Sequence, residues 1–417
     1  MQRIVVIGGN RLRGKVEIAG SKNATLPIMA ATILAPGTSV LTNVPSLKDV
    51  TTMKEMLETL GTKVSFRDRT LTIDSSECDS YEAPYELVKT MRASIYVLGP
   101  LLARFKKARV SLPGGCAWGP RPVDLHIKAM QELGAHISIE HGYIVAEAKQ
   151  LRGKEIHFET SSVGATGNAM MAACLAKGRT ILHNAACEPE IEALALFLNK
   201  MGAAISGAGT KVVEIEGVKS LKPARATIVP DRIEAGTYMV AAAITRGTVR
   251  IEKCDPAHCT SVISKLTECG ASVMHDASEL VVSAGRRPEC LSITTAPYPG
   301  FPTDMQAQMM ALMCVARGTS VFVDSIYKDR FTHVPELRRM NAAIEVEGNV
   351  ATIKGARKLS GAQVMATDLR ASAALILAGL VAEGRTEISR IYHIDRGYEA
   401  IEKKLSGLGA KIWREDA

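Results

Sequence analysis

One pattern of apolar and polar positions recurs six times along the chain. A helix-like stretch ends at a short phrase of the type Leu-Gly-Ala, and a strand-like alternation such as Thr62-Lys-Val-Ser-Phe follows it. Glycine at such a point favours a left-handed turn that ends the helix. The middle residue of the phrase recurs at intervals of 73, 68, 68, 71 and 68 residues, which predicts six similar units. The middle residues are Gly61, Gly134, Gly202, Gly270, Asn341 and Gly409.

A second recurring position, the marker, is usually a glycine and lies N-terminal to each Leu-Gly-Ala phrase. The sequence on either side of this marker predicts one more helix and one more strand. A helix of small residues precedes it, as in Ala371-Ser-Ala-Ala-Leu-Ile-Leu-Ala, and a β-rich run follows it, as in Thr248-Val-Arg-Ile. Small residues let neighbouring elements pack closely, so this helix is predicted to be buried. Each unit then consists of helix, strand, helix, strand, strand. A chain of 417 residues exceeds what one core usually supports, so we predict an α/β (α+β) protein with two domains of three units.

The start of each buried helix is predicted to lie fifteen residues before the marker. Helix N-termini offer free N–H groups and the positive end of the dipole, both of which attract anions. If the units are related by pseudo-symmetry, these ends share one side of each domain. Two facing domains would then enclose a cleft with the cations Lys22, Arg92, Arg232 and Arg370 and the carboxylates Asp231, Asp304 and Asp368. The six starts are Lys22, Arg92, Val163, Arg232, Thr303 and Leu369.

Composition and charge narrow the classes of function. The net charge is +8, but the basic residues are dispersed, which fits an anion-collecting cleft better than a nucleic-acid surface. Aromatic residues make up only 4%, so stacking on bases is not expected. The nine cysteines form no Cys-x-x-Cys motif, which favours reduced thiols without a metal site. The short N-terminal apolar run does not resemble a signal peptide, and we expect a soluble, cytoplasmic protein without membrane insertion.

The segment from Ser111 to Leu125 is the least regular part of the sequence. It contains three prolines and three glycines around Cys116, which predicts a mobile loop. Arg121 lies five residues after the cysteine, and a nearby cation lowers the pKa of a thiol. Cys116 is therefore a candidate for a reactive residue, although an incidental surface cysteine remains an alternative.

Seven motifs together resemble the UDP-N-acetylglucosamine 1-carboxyvinyltransferase family, which belongs to the EPSP synthase-like enolpyruvyl transferases. The resemblance runs through the whole chain. It implies an inside-out α/β barrel of two three-repeat domains, 22–229 and 1–21 plus 230–417, with the active site in the cleft between them. The motifs are Gly20-Ser-Lys-Asn-Ala, Pro113-Gly-Gly-Cys-x-x-Gly-x-Arg-Pro-Val-Asp-Leu-His126, Ser162-Val-Gly-Ala-Thr, Pro230-Asp-Arg-Ile-Glu-Ala-Gly-Thr, Phe301-Pro-Thr-Asp-Met-Gln-Ala-Gln, Arg330-Phe-x-His-Val-Pro-Glu-Leu and Ala366-Thr-Asp-Leu-Arg-Ala-Ser.

The resemblance also implies roles for individual residues. Lys22, Arg121 and Arg396 would hold phosphoenolpyruvate, whose phosphate and carboxylate suit lysine and bidentate arginine. Asp304 would be the general base for the sugar hydroxyl and Cys116 the general acid, with a covalent cysteine adduct also expected. The residues implied in binding the substrates are Lys22, Asn23, Arg92, Arg121, Pro122, Val123, Asp124, Leu125, Ser161, Ser162, Val163, Gly164, Asp231, Asp304, Ile326, Arg330, Asp368, Arg370 and Arg396.

One departure from the family and two alternatives belong beside this interpretation. Thr160-Ser161 stands where many relatives carry a lysine near the diphosphate. The acceptor could instead be shikimate 3-phosphate, as in the related enzyme of the same fold, although the Cys116 loop argues against it. A non-catalytic basic RNA-binding barrel is the other alternative. We expect a monomer that needs neither cofactor nor metal.

Overall fold

The computed structural model describes residues 2–113, 123–327 and 329–416, and these form two compact units. One unit contains residues 20–113 and 123–229, and the other contains 2–19, 230–327 and 329–416. The first boundary between the units follows residue 19, two residues before the boundary expected from the sequence after residue 21. The second follows residue 229, where the sequence-based boundary also lies. Each unit has its own hydrophobic core. In the unit that starts at residue 20, the core residues come from the sequence range 24–228.

Six four-stranded sheets of one topology form the framework, three in each unit. In every sheet three strands are antiparallel, and a fourth strand from another segment of the chain adds in parallel at one edge. In sheet order the strands are Arg225–Thr227, Thr38–Thr42, Thr70–Asp74, Lys63–Arg67; Glu82–Ala83, Lys107–Ser111, Tyr143–Glu147, His136–Glu140; Glu155–His157, Arg179–His183, Val212–Glu216, Ala204–Ser206; Arg13–Glu17, Thr248–Glu252, Glu279–Ser283, Ser272–His275; Ile293–Thr294, Thr319–Val323, Val350–Lys354, Ala343–Glu347; and Gln363–Met365, Arg385–Ser389, Gln2–Ile7, Lys411–Asp416.

The N-terminal strands complete the second unit. Gln2–Ile7 pairs antiparallel with both Arg385–Ser389 and Lys411–Asp416, where it takes the position of the missing third strand of the sixth repeat. Arg13–Glu17 then supplies the parallel edge of the fourth sheet. A separate parallel pair joins Leu359–Ser360 to Ala382–Glu383. The two ends of the chain are thus joined by backbone hydrogen bonds within one unit.

The predicted start of the buried helix is confirmed in all six repeats. Two of these helices begin with a 3₁₀ turn, Arg92–Val97 and Thr303–Met305. Neither turn is preceded by a capping side chain, whereas Ser21, Ser162, Asp231 and Asp368 cap the other four helices. The buried helices are Lys22–Ala31, Leu98–Phe105, Val163–Ala173, Arg232–Ile244, Gln306–Met313 and Leu369–Gly379.

A second set of helices covers the outside of each repeat and has exposed as well as buried faces. It comprises Lys48–Thr59, Asp124–Glu132, Pro189–Lys200, Thr260–Glu268, Val334–Arg339 and Ile401–Gly407, besides a short helix at Tyr85–Val88. Further 3₁₀ turns lie at Thr32–Leu34, Pro256–Cys259 and Ile391–Arg396. Within the described ranges, none of the helices is long and apolar enough to cross a bilayer.

The predicted left-handed residue ends every outer helix. Gly61, Gly134, Gly202, Gly270 and Gly409 have φ between +92° and +102°. Asn341 occupies the same place in the fifth repeat with φ +67°. Asparagine tolerates this region better than other residues with a side chain, which explains how the repeat keeps its turn without glycine.

Candidate active site

In the unit that contains residues 230–327, the first turns of two buried helices carry Asp304 and Arg370, and the turn before the outer helix Val334–Arg339 adds Arg330. Arg330 Nη2 donates to Oδ1 of this carboxylate at 2.6 Å, and Arg370 Nη2 donates to Oδ2 at 2.7 Å. Both arginine side chains are almost fully buried, while that of Asp304 is 27% exposed. The structure therefore joins three of the residues predicted for the site into one charged cluster.

The charges around Asp304 determine its protonation. Burial alone would raise the pKa of this carboxyl, but the guanidiniums of Arg370 and Arg330 outweigh it and hold the pKa well below its usual range. Asp304 is therefore ionised at neutral pH, and each of its oxygens already accepts a charged hydrogen bond. A carboxylate held in this way is a weak base until one of its partners is drawn away.

Two further predicted carboxylates cap the neighbouring buried helices. Asp231 Oδ1 accepts from the backbone of Ile233 and Glu234 at 2.8 and 3.0 Å. Asp368 Oδ1 accepts from the backbone of Arg370 and Ala371 at 2.7 and 3.0 Å. Capping fixes the first turn of each helix, and in the sixth repeat that turn carries Arg370.

A polar network behind the cluster fixes its geometry. The hydroxyl of Tyr398 lies 3.3 Å from Arg370 Nη1 and 2.8 Å from Thr237 Oγ1. On the other side Arg330 Nη1 donates to Thr303 Oγ1, which donates to the fully buried Asp324. The sequence analysis missed Tyr398, Thr237 and Asp324, since no local motif indicates a partner so far away in the chain.

Two more predicted residues, Ile326 and Arg396, each lie two residues away in the sequence from a member of this network. Ile326 is 37% exposed, and its backbone N–H donates to Asp324 Oδ1 at 3.0 Å. Arg396 is the last residue of the 3₁₀ turn Ile391–Arg396 and is half-buried, two residues before Tyr398.

In the unit of residues 20–229, Lys22 is the first residue of its buried helix. Its Nζ lies 3.3 Å from Asp49 Oδ2, and both side chains are largely buried. Asn23 follows in the same first turn and is half-buried. Asp49 was not predicted, because a carboxylate in the first turn of an outer helix has an ordinary electrostatic role there.

The second and third repeats meet at a buried histidine, His126. Asn168 Oδ1 accepts from Gly99 N at 2.8 Å, which orients the amide so that its Nδ2 donates to His126 Nδ1 at 2.9 Å. Burial, assisted by the charge of Arg92, lowers the pKa of this histidine to about 3. A side chain at Gly164 would approach the imidazole to 3.0 Å, so glycine leaves room for the ring. His126 thus brings together two predicted residues, Arg92 and Gly164.

The remaining predicted residues lie at the starts of two helices or outside the described part of the chain. Ser162 caps the helix that starts at Val163 through its Oγ, 3.3 Å from Ala165 N, and Ser161 precedes it. Glu159, just before the Thr160-Ser161 pair, forms an ion pair with Lys128 at 2.8 Å. Val123, Asp124 and Leu125 form the start of the helix Asp124–Glu132. Cys116, Arg121 and Pro122 lie outside the described residues.

Comparison with known proteins assigns the family. The family model described as EPSP synthase (3-phosphoshikimate 1-carboxyvinyltransferase) matches residues 6–405. A UDP-N-acetylglucosamine 1-carboxyvinyltransferase of Trichlorobacter lovleyi is 56% identical over 99% of both chains, and one of Myxococcus xanthus is 54% identical over both full lengths. The chain belongs to the UDP-N-acetylglucosamine 1-carboxyvinyltransferase family. The family predicted from the motifs is therefore confirmed.

Solved structures confirm the fold of this UDP-N-acetylglucosamine 1-carboxyvinyltransferase family member. The enolpyruvyl transferase NikO of Streptomyces tendae superposes with a TM-score of 0.90 at 26% identity, over 100% of this chain and 99% of NikO. EPSP synthase of Acinetobacter baumannii superposes with a TM-score of 0.76 over the full length of both chains. At 17% identity the latter likeness concerns the fold alone.

Proposed function

We propose that this chain transfers the enolpyruvyl group of phosphoenolpyruvate to the 3′-hydroxyl of UDP-N-acetylglucosamine and releases phosphate. This is the first committed step in the synthesis of peptidoglycan precursors. The observation that carries the proposal is the 56% identity, over almost the whole chain, to a relative named for this activity. The cluster of Asp304, Arg330 and Arg370 supports it, because it combines a carboxylate with cations suited to phosphate and carboxylate groups.

Binding of the two substrates would draw on both units. Lys22, Arg121 and Arg396 would hold the phosphate and carboxylate of phosphoenolpyruvate. Arg92 and the first turn at Val163 and Gly164 would bind the diphosphate, since a capped helix start offers free N–H groups to an anion. Asp124 and Leu125 would lie near the uracil, while Asn23 and Ile326 would contact the sugar.

The addition step moves two protons. The oxygen of the 3′-hydroxyl bonds to the central carbon of phosphoenolpyruvate, and its proton passes to Asp304. The methylene carbon of phosphoenolpyruvate gains a proton from Cys116 and becomes a methyl group. The product is a tetrahedral ketal that still carries phosphate.

Because Asp304 is ion-paired with two arginines, binding of phosphoenolpyruvate would help to activate Asp304 as the general base. The anionic groups of phosphoenolpyruvate would compete for Arg370 and Arg330, which would weaken their hold on the carboxylate. Its pKa would rise towards its usual range and its basicity with it. Asp304 would thus become an effective base only after phosphoenolpyruvate has bound.

Elimination completes the reaction. The bond from the central carbon to the phosphate oxygen breaks, the methyl carbon returns a proton to the Cys116 thiolate, and the double bond forms again. The proton held by Asp304 leaves with the phosphate, so both residues regain their starting state. Positive charge develops at the central carbon, where the carboxylates of Asp304 or Asp368 would stabilise it. The Cys116 thiolate could also attack this carbon, which would produce a covalent adduct.

Phosphate release with alternative acceptors tests the proposal. The purified chain should release phosphate from phosphoenolpyruvate with UDP-N-acetylglucosamine and not with shikimate 3-phosphate. Faster release with shikimate 3-phosphate would assign the protein to the other branch of the fold. If neither acceptor supports the release of phosphate, the result would favour a binding protein instead of an enzyme. We further propose that the enzyme acts in the cytoplasm as a monomer.

A further inference from the structure

A cluster of two histidines and one glutamate lies on the third sheet, away from the residues discussed above. Glu155 and His157 belong to the edge strand Glu155–His157, and His183 ends the adjacent parallel strand Arg179–His183. His157 and His183 are register partners. Ile156 and Leu182 between them are buried in the core, so the cluster occupies the opposite, outward face.

The potential ligand atoms of these side chains already lie close together. One atom from each of the three residues lies within 4.8 Å of the other two. His183 Nε2 is 3.4 Å from Glu155 Oε2, and His157 Nε2 is 4.0 Å from the same oxygen. His183 Nε2 is also shielded from solvent and, apart from this contact with Glu155, makes no hydrogen bond within the part of the chain that the structure describes. A buried nitrogen without a hydrogen bond costs free energy that a bound cation would recover.

We propose that Glu155, His157 and His183 bind one divalent transition-metal ion of the class that prefers imidazole, with Zn²⁺ as its representative. Two imidazoles and a carboxylate form a common zinc ligand set, and water would complete the tetrahedron. With bonds of about 2.0–2.1 Å, tetrahedral ligand atoms lie roughly 3.3 Å apart. The cluster must therefore contract by little more than an ångström.

The present orientation of the two rings identifies the movement that binding requires. The imidazoles stack with their centroids 4.2 Å apart and their planes 6° from parallel, so their lone pairs do not yet converge. The side chains of His157 and Glu155 are 70% and 64% exposed, and can rotate without displacing the core. His183, at 31% exposure, would be the fixed ligand towards which the other two turn.

The proposed site would tie two parallel strands together, and it does not rest on the enzymatic proposal. His157 lies five residues before Ser162, which caps the buried helix of the third repeat. A cation that binds only the folded chain stabilises it in proportion to the logarithm of its concentration above the dissociation constant. We therefore expect Zn²⁺ to raise the midpoint of thermal unfolding.

Metal titration of the full-length chain tests this proposal. Protein freed of metal with a chelator is titrated with Zn²⁺ in a calorimeter, and with Co²⁺ as a visible-absorption probe of coordination. The unmodified chain should bind one more equivalent of metal ion than either of the variants His157→Ala and His183→Ala. Glu155→Gln should bind at least about 10-fold more weakly, because the charged ligand is lost. His136→Ala removes an exposed histidine of the second sheet and should bind like the unmodified chain.

Two readouts separate this site from binding to the nine cysteines. The Co²⁺ spectrum that disappears in His157→Ala should be tetrahedral and lack thiolate charge-transfer bands. The Zn²⁺-dependent rise in the thermal midpoint should disappear with it, while the midpoint without metal stays unchanged. Equal stoichiometry and affinity in the unmodified chain and His157→Ala would overturn the proposal, as would a Co²⁺ difference spectrum dominated by thiolate ligands.

Discussion

The Asp304 carboxylate shows how one residue can serve both stability and chemistry. Its charge is balanced by Arg330 and Arg370, and each of these has almost no access to solvent. Buried cations without a partner are costly, so the carboxylate also stabilises the fold. Any test of its catalytic role must therefore separate loss of chemistry from loss of structure.

For Asp304→Asn we expect turnover to fall by roughly 10²–10⁴-fold, the usual contribution of a general base. The amide has the shape of the carboxylate but cannot accept the proton. Binding of UDP-N-acetylglucosamine, measured by calorimetry, should persist and show that the variant is folded. Asp276→Asn, which changes an exposed carboxylate of the same unit, is the control. Near-normal turnover in Asp304→Asn would remove this residue from the role of base.

A prediction about Cys116 follows from its place in the sequence, five residues before Arg121, since a nearby cation lowers the pKa of a thiol. Burial raises the pKa of Cys174, Cys259 and Cys314 to about 12, which makes these thiols unreactive. Fosfomycin resembles phosphoenolpyruvate in charge and carries an electrophilic carbon. It should alkylate Cys116 first, and faster in the presence of the nucleotide sugar, as peptide mapping would show.

Variants sharpen this test. Cys116→Asp keeps a proton donor and should remain active but insensitive to fosfomycin, whereas Cys116→Ser is a much weaker acid and should lose most activity. Cys290 is exposed, and Cys290→Ser is the matched control that should change neither property. Inactivation of the Asp variant by fosfomycin, or a label on another cysteine, would contradict the assignment.

His126 provides a prediction for acid stability. Its pKa is about 3 in the folded chain and about 6.5 when unfolded, so the unfolded state binds the extra proton between these values. Keeping the His126 ring neutral contributes its full stabilisation of the folded state above pH 6.5. This contribution is lost as the pH falls from 6.5 towards 3. The loss is at most about 1.4 kcal/mol per pH unit for one proton.

The variant His126→Asn should show a shallower loss, because asparagine still offers an oxygen to Asn168 but has no proton to gain. Urea unfolding at several pH values between 3 and 7 measures the slopes. His136→Asn, an exposed histidine on a strand, should retain the slope of the unmodified chain. Equal slopes in His126→Asn and the unmodified chain would disprove this account.

At the scale of elements, the ends of helices carry both the fold and the candidate site. Five of the six buried helices start with a cation or a carboxylate, the exception being the helix that starts at Val163, and each outer helix ends at a residue with positive φ. The sixth repeat offers a matched pair of glycines around the end of Ile401–Gly407. Neither Gly407 nor Gly409 has an atom within 4 Å of an added Cβ, but only Gly409 has positive φ, +93°.

Substitution of these two glycines should have opposite effects on stability. Gly409→Ala should lower the free energy of unfolding by about 1 kcal/mol, the cost of a left-handed conformation with a Cβ. Gly407→Ala should raise it by roughly 0.5–1 kcal/mol, since alanine loses less entropy in a helix. Gly409→Asn should cost less than Gly409→Ala, as Asn341 occupies this position in the fifth repeat. Denaturant unfolding distinguishes the three, and a loss in Gly407→Ala equal to that in Gly409→Ala would refute the argument from φ.

At the scale of the whole molecule, the candidate anion-binding residues are divided between two units with separate cores. Lys22 and Arg92 belong to one unit, and Arg370 and Arg396 to the other. The binding proposed above assigns residues of both units to each substrate, so ordering of the chain by the nucleotide sugar would lower the cost of ordering it for phosphoenolpyruvate. We therefore expect phosphoenolpyruvate to bind poorly until the nucleotide sugar is present.

Calorimetric titration of Asp304→Asn, in which turnover is suppressed, with phosphoenolpyruvate measures this coupling in the presence and absence of saturating UDP-N-acetylglucosamine. The control replaces the nucleotide sugar with UDP-glucose, which lacks the N-acetyl group. Equal affinity for phosphoenolpyruvate in the presence and absence of UDP-N-acetylglucosamine would contradict ordered binding.

The sequence by itself determined the six repeats, because each repeat is specified by local signals. Apolar periodicity, small residues and glycines at fixed spacing were sufficient to locate the buried helices and the turns after the outer ones. Among the site residues, Lys22, Arg92, Val163 and Gly164 could be selected because a helix start is itself a local feature. The family motifs added residues such as Arg330, whose position no periodicity indicates.

Only the tertiary structure decided which of these residues meet. Asp304, Arg330 and Arg370 lie in different segments, and their pairing depends on how three helices pack. The same holds for the bond between Asn168 and His126 and for the cluster of Glu155, His157 and His183. Helices, their caps and turns arise from interactions within a few residues, which a sequence pattern can reveal. Charge pairing, burial and shifts of pKa depend on atoms brought together from distant parts of the chain, so they exist only once the chain has folded.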